Sequence, residues 1–193
     1  MNRRGFFWGA LAVATGAAAG AWTRVTKATA PLRPPGAKPG RAFDAACIRC
    51  FRCAEVCPPK AIRFDTSYSL NASDLPYLDA REQACVVCMK CTQACPTGAL
   101  TPLPLDLGVV QKAVRMGTPV LDRKSCIPWR GEGVCRLCYY VCPYPDSAVA
   151  LVGPQQAPVF DAKACIGCGL CEEACPRIAH AIHIVPLEEE KKA

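Results

Sequence analysis

Histidine is almost missing from this chain: its 193 residues contain two, His180 and His183, both in a late apolar run. Zinc sites that draw on imidazole lack their ligands here, and both histidines read as surface or strand positions rather than ligands. No serine, histidine and aspartate arrangement for nucleophilic catalysis is evident. Nor is a phosphate-cradling glycine loop or an open metal position, so a small-molecule substrate has nowhere to be transformed. No C-x2-C-H string occurs, which excludes covalently attached haem. Aromatic residues amount to 7%, and the length favours one or two small domains over a large enzyme with a generous core. The formal charge of +7 has no cluster behind it; the basic residues are scattered, and nucleic acid is not an expected partner.

What the chain has instead is cysteine, 16 residues, together with 18 prolines and 14 glycines. Cysteine at that density excludes an ordinary protein held by a hydrophobic core alone, and the proline and glycine favour turns over long helices. Residues 1–22 read as a targeting segment: Arg3 and Arg4 stand directly before an apolar run from Phe6 to Trp22 whose alanines and glycines keep its hydrophobicity modest. Such a start predicts export of an already folded protein by the twin-arginine route. Cleavage sites are offered by Ala19-Gly20-Ala21 or Ala28-Thr29-Ala30, with retention as an anchor as the alternative. Residues 23–42 carry Pro31, Pro34, Pro35 and Pro39 among Arg24, Lys27, Arg33, Lys38 and Arg41. They read as an extended tether, with the folded part beginning near Phe43.

From there the sequence is one unit copied four times. The cysteines fall into a first group of Cys47, Cys50, Cys53 and Cys57 and a second of Cys85, Cys88, Cys91 and Cys95. The third is Cys126, Cys135, Cys138 and Cys142, and the fourth Cys165, Cys168, Cys171 and Cys175. Three groups share the spacing C-x2-C-x2-C-x3-C, the third lengthens only its first interval, and each ends before a proline: Pro58, Pro96, Pro143 and Pro176. An apolar residue and an aspartate precede each group, in Phe43-Asp44, Leu78-Asp79, Leu121-Asp122 and Phe160-Asp161, and a short apolar run follows each Cys-Pro. Each unit therefore predicts a strand, a cysteine loop, one short helix around the last cysteine, and a strand. Leu103 to Pro119 breaks the repeat and reads as the connection between halves, and 187–193 as a charged, frayed tail.

The spacing has a chemical reason. A 4Fe-4S cluster needs four thiolates converging on its corners, and three cysteines two residues apart on a tight loop can wrap one face while loop amides point at the sulfides. In the bacterial pattern the cysteine before proline ligates the other cluster of a pair, so two motifs interlock. Eight disulfides are a poor alternative, because cysteines two residues apart are badly placed to bond each other. Four clusters, each roughly −2 with its thiolates, would bring the charge of +7 to about −1. Gly167 and Gly169 allow close backbone approach in the fourth group, while Arg49, Arg52 and Lys90 put positive charge inside the first two, either to tune potentials or simply as solvated loop residues.

The paired arginines, the four Cys-Pro groups and the long interval Cys126-Ile127-Pro128-Trp129-Arg130-Gly131-Glu132-Gly133-Val134-Cys135 resemble the ferredoxin-type proteins encoded with periplasmic nitrate reductase and with methylamine dehydrogenase, the NapG/MauM family. The likeness runs from Asn2 to about Val185. It implies a periplasmic electron carrier, not an enzyme, that holds four 4Fe-4S clusters. Such a carrier takes electrons from a polytopic membrane ferredoxin that oxidises quinol, and passes them to a periplasmic redox acceptor of the nitrate reductase type. An accessory or maturation protein of a methylamine dehydrogenase system is the alternative, as is an iron-sulfur subunit of a molybdopterin oxidoreductase. The expected fold is α+β: tandem bacterial-type double-cluster ferredoxin-like domains of short strands and short helices, over residues 43–105 and 106–186.

Pairing of neighbouring groups assigns Cys47, Cys50, Cys53 and Cys95 to cluster one and Cys85, Cys88, Cys91 and Cys57 to cluster two. Cys126, Cys135, Cys138 and Cys175 then hold cluster three, and Cys165, Cys168, Cys171 and Cys142 cluster four. In the related molybdenum-enzyme subunits the first and last motifs pair instead, and the inner two with each other. The similar repeat intervals do not choose between the two schemes.

Overall fold

Four cysteine loops, each closed by a proline, leave room only for short regular elements, and the computed structural model has no others among the residues it describes. It describes residues 31–64, 74–177 and 180–187; the targeting segment and the residues of the tail beyond Leu187 lie outside them. In chain order the elements are α1 (Arg41–Ala46), α2 (Arg52–Glu55), β1 (Ile62–Phe64), β2 (Pro76–Leu78), α3 (Lys90–Ala94), α4 (Leu107–Ala113), β3 (Gly117–Leu121), α5 (Leu137–Tyr140), β4 (Val149–Val152), β5 (Ala157–Phe160), α6 (Leu170–Glu173) and β6 (Ile182–Pro186). No helix among the described residues is long and apolar enough to cross a membrane.

The strands form three two-stranded antiparallel sheets, and their pairing follows the repeat. β1 after the first group pairs with β2 before the second, Ile62 opposite Leu78. β4 after the third pairs with β5 before the fourth, Val149 opposite Phe160. β3 before the third pairs with β6 after the fourth, Gly117 opposite Pro186. The second half thus carries two hairpin-like ribbons related by the repeat.

The first half carries only one such ribbon, and two sequence expectations are corrected here. The first unit opens on helix α1 rather than a strand: Phe43 is buried in it, and Asp44 pairs with Arg33 at 3.1 Å. The segment read as a tether packs onto this half from Pro31 to Gly40. Leu32, Pro34 and Pro35 are buried, and isolated bridges join Leu32 to Leu78 and Ala37 to Leu100. Prolines already fixed near the extended backbone lose little entropy on docking, so a proline-rich strip can serve where a strand is missing.

The helix of each unit also sits one cysteine earlier than expected. α2, α3, α5 and α6 carry Cys53, Cys91, Cys138 and Cys171, the third of each group, and stop before the fourth. The proline after the fourth cysteine disfavours helical backbone on the residue before it; Cys95 is extended at φ −74°, ψ 111°.

The connection between halves contains a full helix. Asp106 caps α4 by accepting the Val109 N–H at 2.9 Å, and Val110 and Val114 bury one face. One buried cluster runs from Leu32 and Phe43 through Met89 and Val110 to Ile166 and Ile184. The residues on either side of this connection share one core.

Candidate iron-sulfur centres

The cysteine loops take their shape from a backbone conformation that side chains normally avoid. In the first group Arg49 and Phe51, flanking the second cysteine, have φ of 56° and 62°; in the second, Val87 and Met89 have 60° and 54°. Gly167 and Gly169 occupy the same places in the fourth, at 77° and 86°. Left-handed backbone costs a non-glycine residue about 1 kcal/mol or more, most for β-branched Val87, and such strain persists only where the surroundings enforce it. Here the twist turns amides inward: the N–H of Val87 lies 3.4 Å from Cys85 Sγ, and that of Gly167 3.4 Å from Cys165 Sγ. Beyond the prolines, Leu100 N–H reaches Cys95 Sγ at 3.4 Å, Tyr144 reaches Cys142 at 3.4 Å and Ala181 reaches Cys175 at 3.3 Å. Amides donating to thiolate sulfur are the hydrogen bonds that tune iron-sulfur potentials.

The thiols gather in sets that cross between groups. One apolar cavity is lined by Cys85, Cys88 and Cys91 of the second group with Cys57 of the first, closed by Pro35, Ile62, Leu78 and Met89. Another is lined by Cys126, Cys135 and Cys138 of the third group with Cys175 and Cys171 of the fourth. Cys165, Cys168 and Cys171 share their surroundings with Cys142, which bears on all three. Cys47 and Cys50 likewise bear on Cys53, and Cys95 stands at the end of α3, the helix packed on α2. All sixteen cysteines are free thiols.

Among the described residues, no three of these side chains, nor any His, Asp or Glu with them, converge tightly enough to hold a single metal ion. Four sulfurs set around a cavity rather than about a point fit a body several atoms across, held at its corners. Burial pushes the thiols upward: Cys53 to about 11, and Cys85, Cys91, Cys138 and Cys168 to about 12, with neighbouring thiols adding to the effect. Thiolates in such surroundings require strong positive charge beside them, which iron supplies. Cys95 is the exception. Burial raises it, but hydrogen bonds from Leu100, Thr97 and Ala99 outweigh that and hold it below the ordinary thiol value.

Arg49, Arg52 and Lys90 point into solvent. His183 sits in β6 with Nδ1 3.2 Å from Glu172 Oε1, and neither histidine lines a thiol cavity. The sequence left several residues unmarked. Pro35 and Met89 line the second set's cavity. Trp129, inside the long interval, anchors that loop by donating Nε1–H to Pro158 O at 3.0 Å under Arg123, 4.1 Å from its ring. Glu172 is buried beside Cys171, accepting the Ile184 N–H at 2.7 Å. The repeated aspartate was visible but its purpose was not: Asp79, Asp122 and Asp161 each accept the N–H two residues on, turning the chain into the loop.

Comparison with known proteins finds iron-sulfur domains in both halves of the chain. A 4Fe-4S dicluster domain matches residues 46–99 and a 4Fe-4S binding domain residues 158–177. Neither span reaches the third group, whose first interval is lengthened. The methylamine utilization ferredoxin-type protein MauM of Methylophilus methylotrophus is 37% identical over 175 residues, covering 86% of this chain and 75% of the relative. The ferredoxin-type protein NapG of Haemophilus influenzae is 37% identical over 174 residues, covering 83% and 61%, and that of Escherichia coli 35% over 172 residues, covering 83% and 72%. Sixteen cysteines in two ferredoxin-like units fit four 4Fe-4S clusters, and the chain belongs to the MauM and NapG family of ferredoxin-type proteins, with an iron-sulfur electron-transfer role.

Proposed function

We propose that the protein is a periplasmic electron carrier that takes electrons from a membrane ferredoxin partner oxidising quinol and passes them toward a periplasmic reductase of the nitrate reductase type. The observation that carries this is the gathering of the thiols into cavities drawn from neighbouring groups, all within one shared core. Cluster one is assigned to Cys47, Cys50, Cys53 and Cys95, cluster two to Cys57, Cys85, Cys88 and Cys91, cluster three to Cys126, Cys135, Cys138 and Cys175, and cluster four to Cys142, Cys165, Cys168 and Cys171. When bound, each cluster supplies reversible one-electron exchange with no change of ligands. The residues keep that exchange fast and selective: thiolates hold the corners, inward amides stabilise negative charge on sulfur, and apolar side chains such as Ile62, Leu78 and Ile166 keep water out.

A second reading, an accessory protein of a methylamine-utilising system, is favoured by the similarity to MauM of Methylophilus methylotrophus and of Methylobacillus flagellatus, at 37% and 35% identity. Reduction by membranes supplied with quinol separates the two, since an accessory protein has no need to accept electrons from that source. The anaerobically purified protein should contain about sixteen iron and sixteen sulfide per chain. Colorimetric assay giving about four iron, or zinc in its place, would remove the four-cluster assignment.

Export by the twin-arginine route is part of the proposal and rests on Arg3 and Arg4 ahead of the apolar run. Arg3→Lys combined with Arg4→Lys should leave a cluster-loaded form in the cytoplasm, read by cell fractionation. Normal periplasmic accumulation of the double variant would point to another route.

A further inference from the structure

Among the described residues, the hydrogen bonds and the ion pair between the two halves lie along a seam where the second and fourth groups meet. The N–H of Cys85 donates across it to the backbone oxygen of Cys168 at 2.9 Å. Immediately beside that bond, the Glu173 carboxylate accepts the Ala84 N–H at 3.1 Å and the Gln83 side-chain amide at 3.2 Å. Arg81 reaches Glu172 at 3.6 Å. Gly169 leaves no room for a side chain: an added Cβ would stand 2.4 Å from Ala80 Cβ. Ala84 is wholly buried in the seam.

We infer that the contact between Cys85 and Cys168 is the crossing point for electrons between the halves, so that the four centres are traversed in the order one, two, four, three. Tunnelling falls steeply with distance, and a direct backbone hydrogen bond between two cluster-holding residues gives a short covalent-and-hydrogen-bonded path between their centres. The transfer moves one electron, oxidising one side and reducing the other by the same amount, with no bond made or broken.

Burial agrees with this order. Cys165, Cys168 and Cys171 are all buried, as is Cys91, which suits centres in the middle of a chain of carriers. Cys57 of centre two is buried as well, whereas in centre one no thiol is buried and Cys50 is exposed, and in centre three only Cys126 is buried, which suits the ends. Exposed apolar side chains gather at those same loops: Ile48 is 63% exposed beside Cys50, and Tyr140 67% exposed beside Cys138. Order along the sequence and order along the path therefore differ, the third group standing at one end although it follows the second in the chain.

Because the assignment of four centres proposed above underlies this order, the test reads both. Reduced clusters are paramagnetic, and neighbours split or broaden each other's resonance. Each of Cys50→Ala, Cys88→Ala, Cys135→Ala and Cys168→Ala should reduce iron from about sixteen to about twelve per chain by removing one cluster. In the fully reduced state, Cys88→Ala should leave centre one as an isolated, unsplit signal, and Cys168→Ala should isolate centre three. Cys50→Ala and Cys135→Ala should isolate none, since the three remaining centres stay in line. An isolated signal in Cys50→Ala or Cys135→Ala, or in no variant at all, would overturn the order while the iron content upheld the four centres. An unaltered protein with far fewer than sixteen iron would overturn both. Where a ligand variant fails to assemble, hydrogen exchange of the Cys85 amide in the unaltered holoprotein decides: strong protection upholds the seam, and exchange at the solvent rate overturns it.

Discussion

Cys57→Ser should abolish the cluster of Cys85, Cys88 and Cys91 and leave that of Cys47, Cys50 and Cys53 largely intact. Cys57 belongs by sequence to the first group, yet it lines the cavity of the second together with those three thiols. Serine keeps the shape but lacks a thiolate, and a cube missing one corner is prone to lose an iron or to fail to assemble. Iron should fall from about sixteen to about twelve, and the resonance lost should match that lost in Cys85→Ser. Had the outer groups paired, the missing signal would match Cys165→Ser instead, and a spectrum of that kind rejects the assignment of neighbouring groups. The first centre should persist, its resonance changed only by losing the splitting from its magnetic neighbour.

Gly167→Ala should be the most damaging single substitution outside the cysteines. Gly167 lies at φ +77°, and a Cβ there would stand 2.3 Å from the Gly117 nitrogen and 2.7 Å from its oxygen. Left-handed backbone alone costs alanine about 1 kcal/mol, and overlap with a strand that cannot give way adds about 1–3 kcal/mol or more. β3 would have to retreat, taking the seat of its partner β6 with it. The apparent melting temperature should drop by on the order of 10 °C, with iron lost from the second half first. Gly98→Ala is the control: its φ is +66°, but nothing lies within 4 Å of the added carbon, so only the conformational term of about 1 kcal/mol applies. Equal melting temperatures for the two variants would show that the contact with Gly117 does not matter.

The repeat, its cysteines and the chemistry they serve were legible because iron-sulfur ligation fixes residue type and spacing together. Gly167 and Gly169 were legible for a related reason, glycine being the residue that left-handed backbone favours. The same geometry at Arg49, Phe51, Val87 and Met89 left no trace in the sequence, since there the surroundings rather than the residue impose it. The proline-rich segment misled for a physical reason: the composition that makes a good spacer also makes a good pre-extended strip, and only Leu32 and Ala37 at their places among the prolines hint at which. Helix α4 reads in the sequence only as a connection, because its apolar run is short, mixed with Lys112 and Arg115, and stands between Pro104 and Pro119. The contacts of Glu172 and Glu173 depend on how the two halves dock, which no local pattern encodes.

The pairing of β3 with β6 bears on how the molecule is made. The β1–β2 ribbon and the Ala37–Leu100 bridge need nothing beyond Leu100, so the strand pairings of the first half are available early in synthesis. Gly117 through Leu121 must wait for Ile182 through Pro186, a pairing of high sequence separation that forms late in folding. Until then β3 is a bare edge open to other chains, and Cys175 lacks the amide of Ala181. A chain that ends short of Ile182 thus leaves β3 without its partner and one thiol without its amide, so the second half closes only when synthesis is nearly complete.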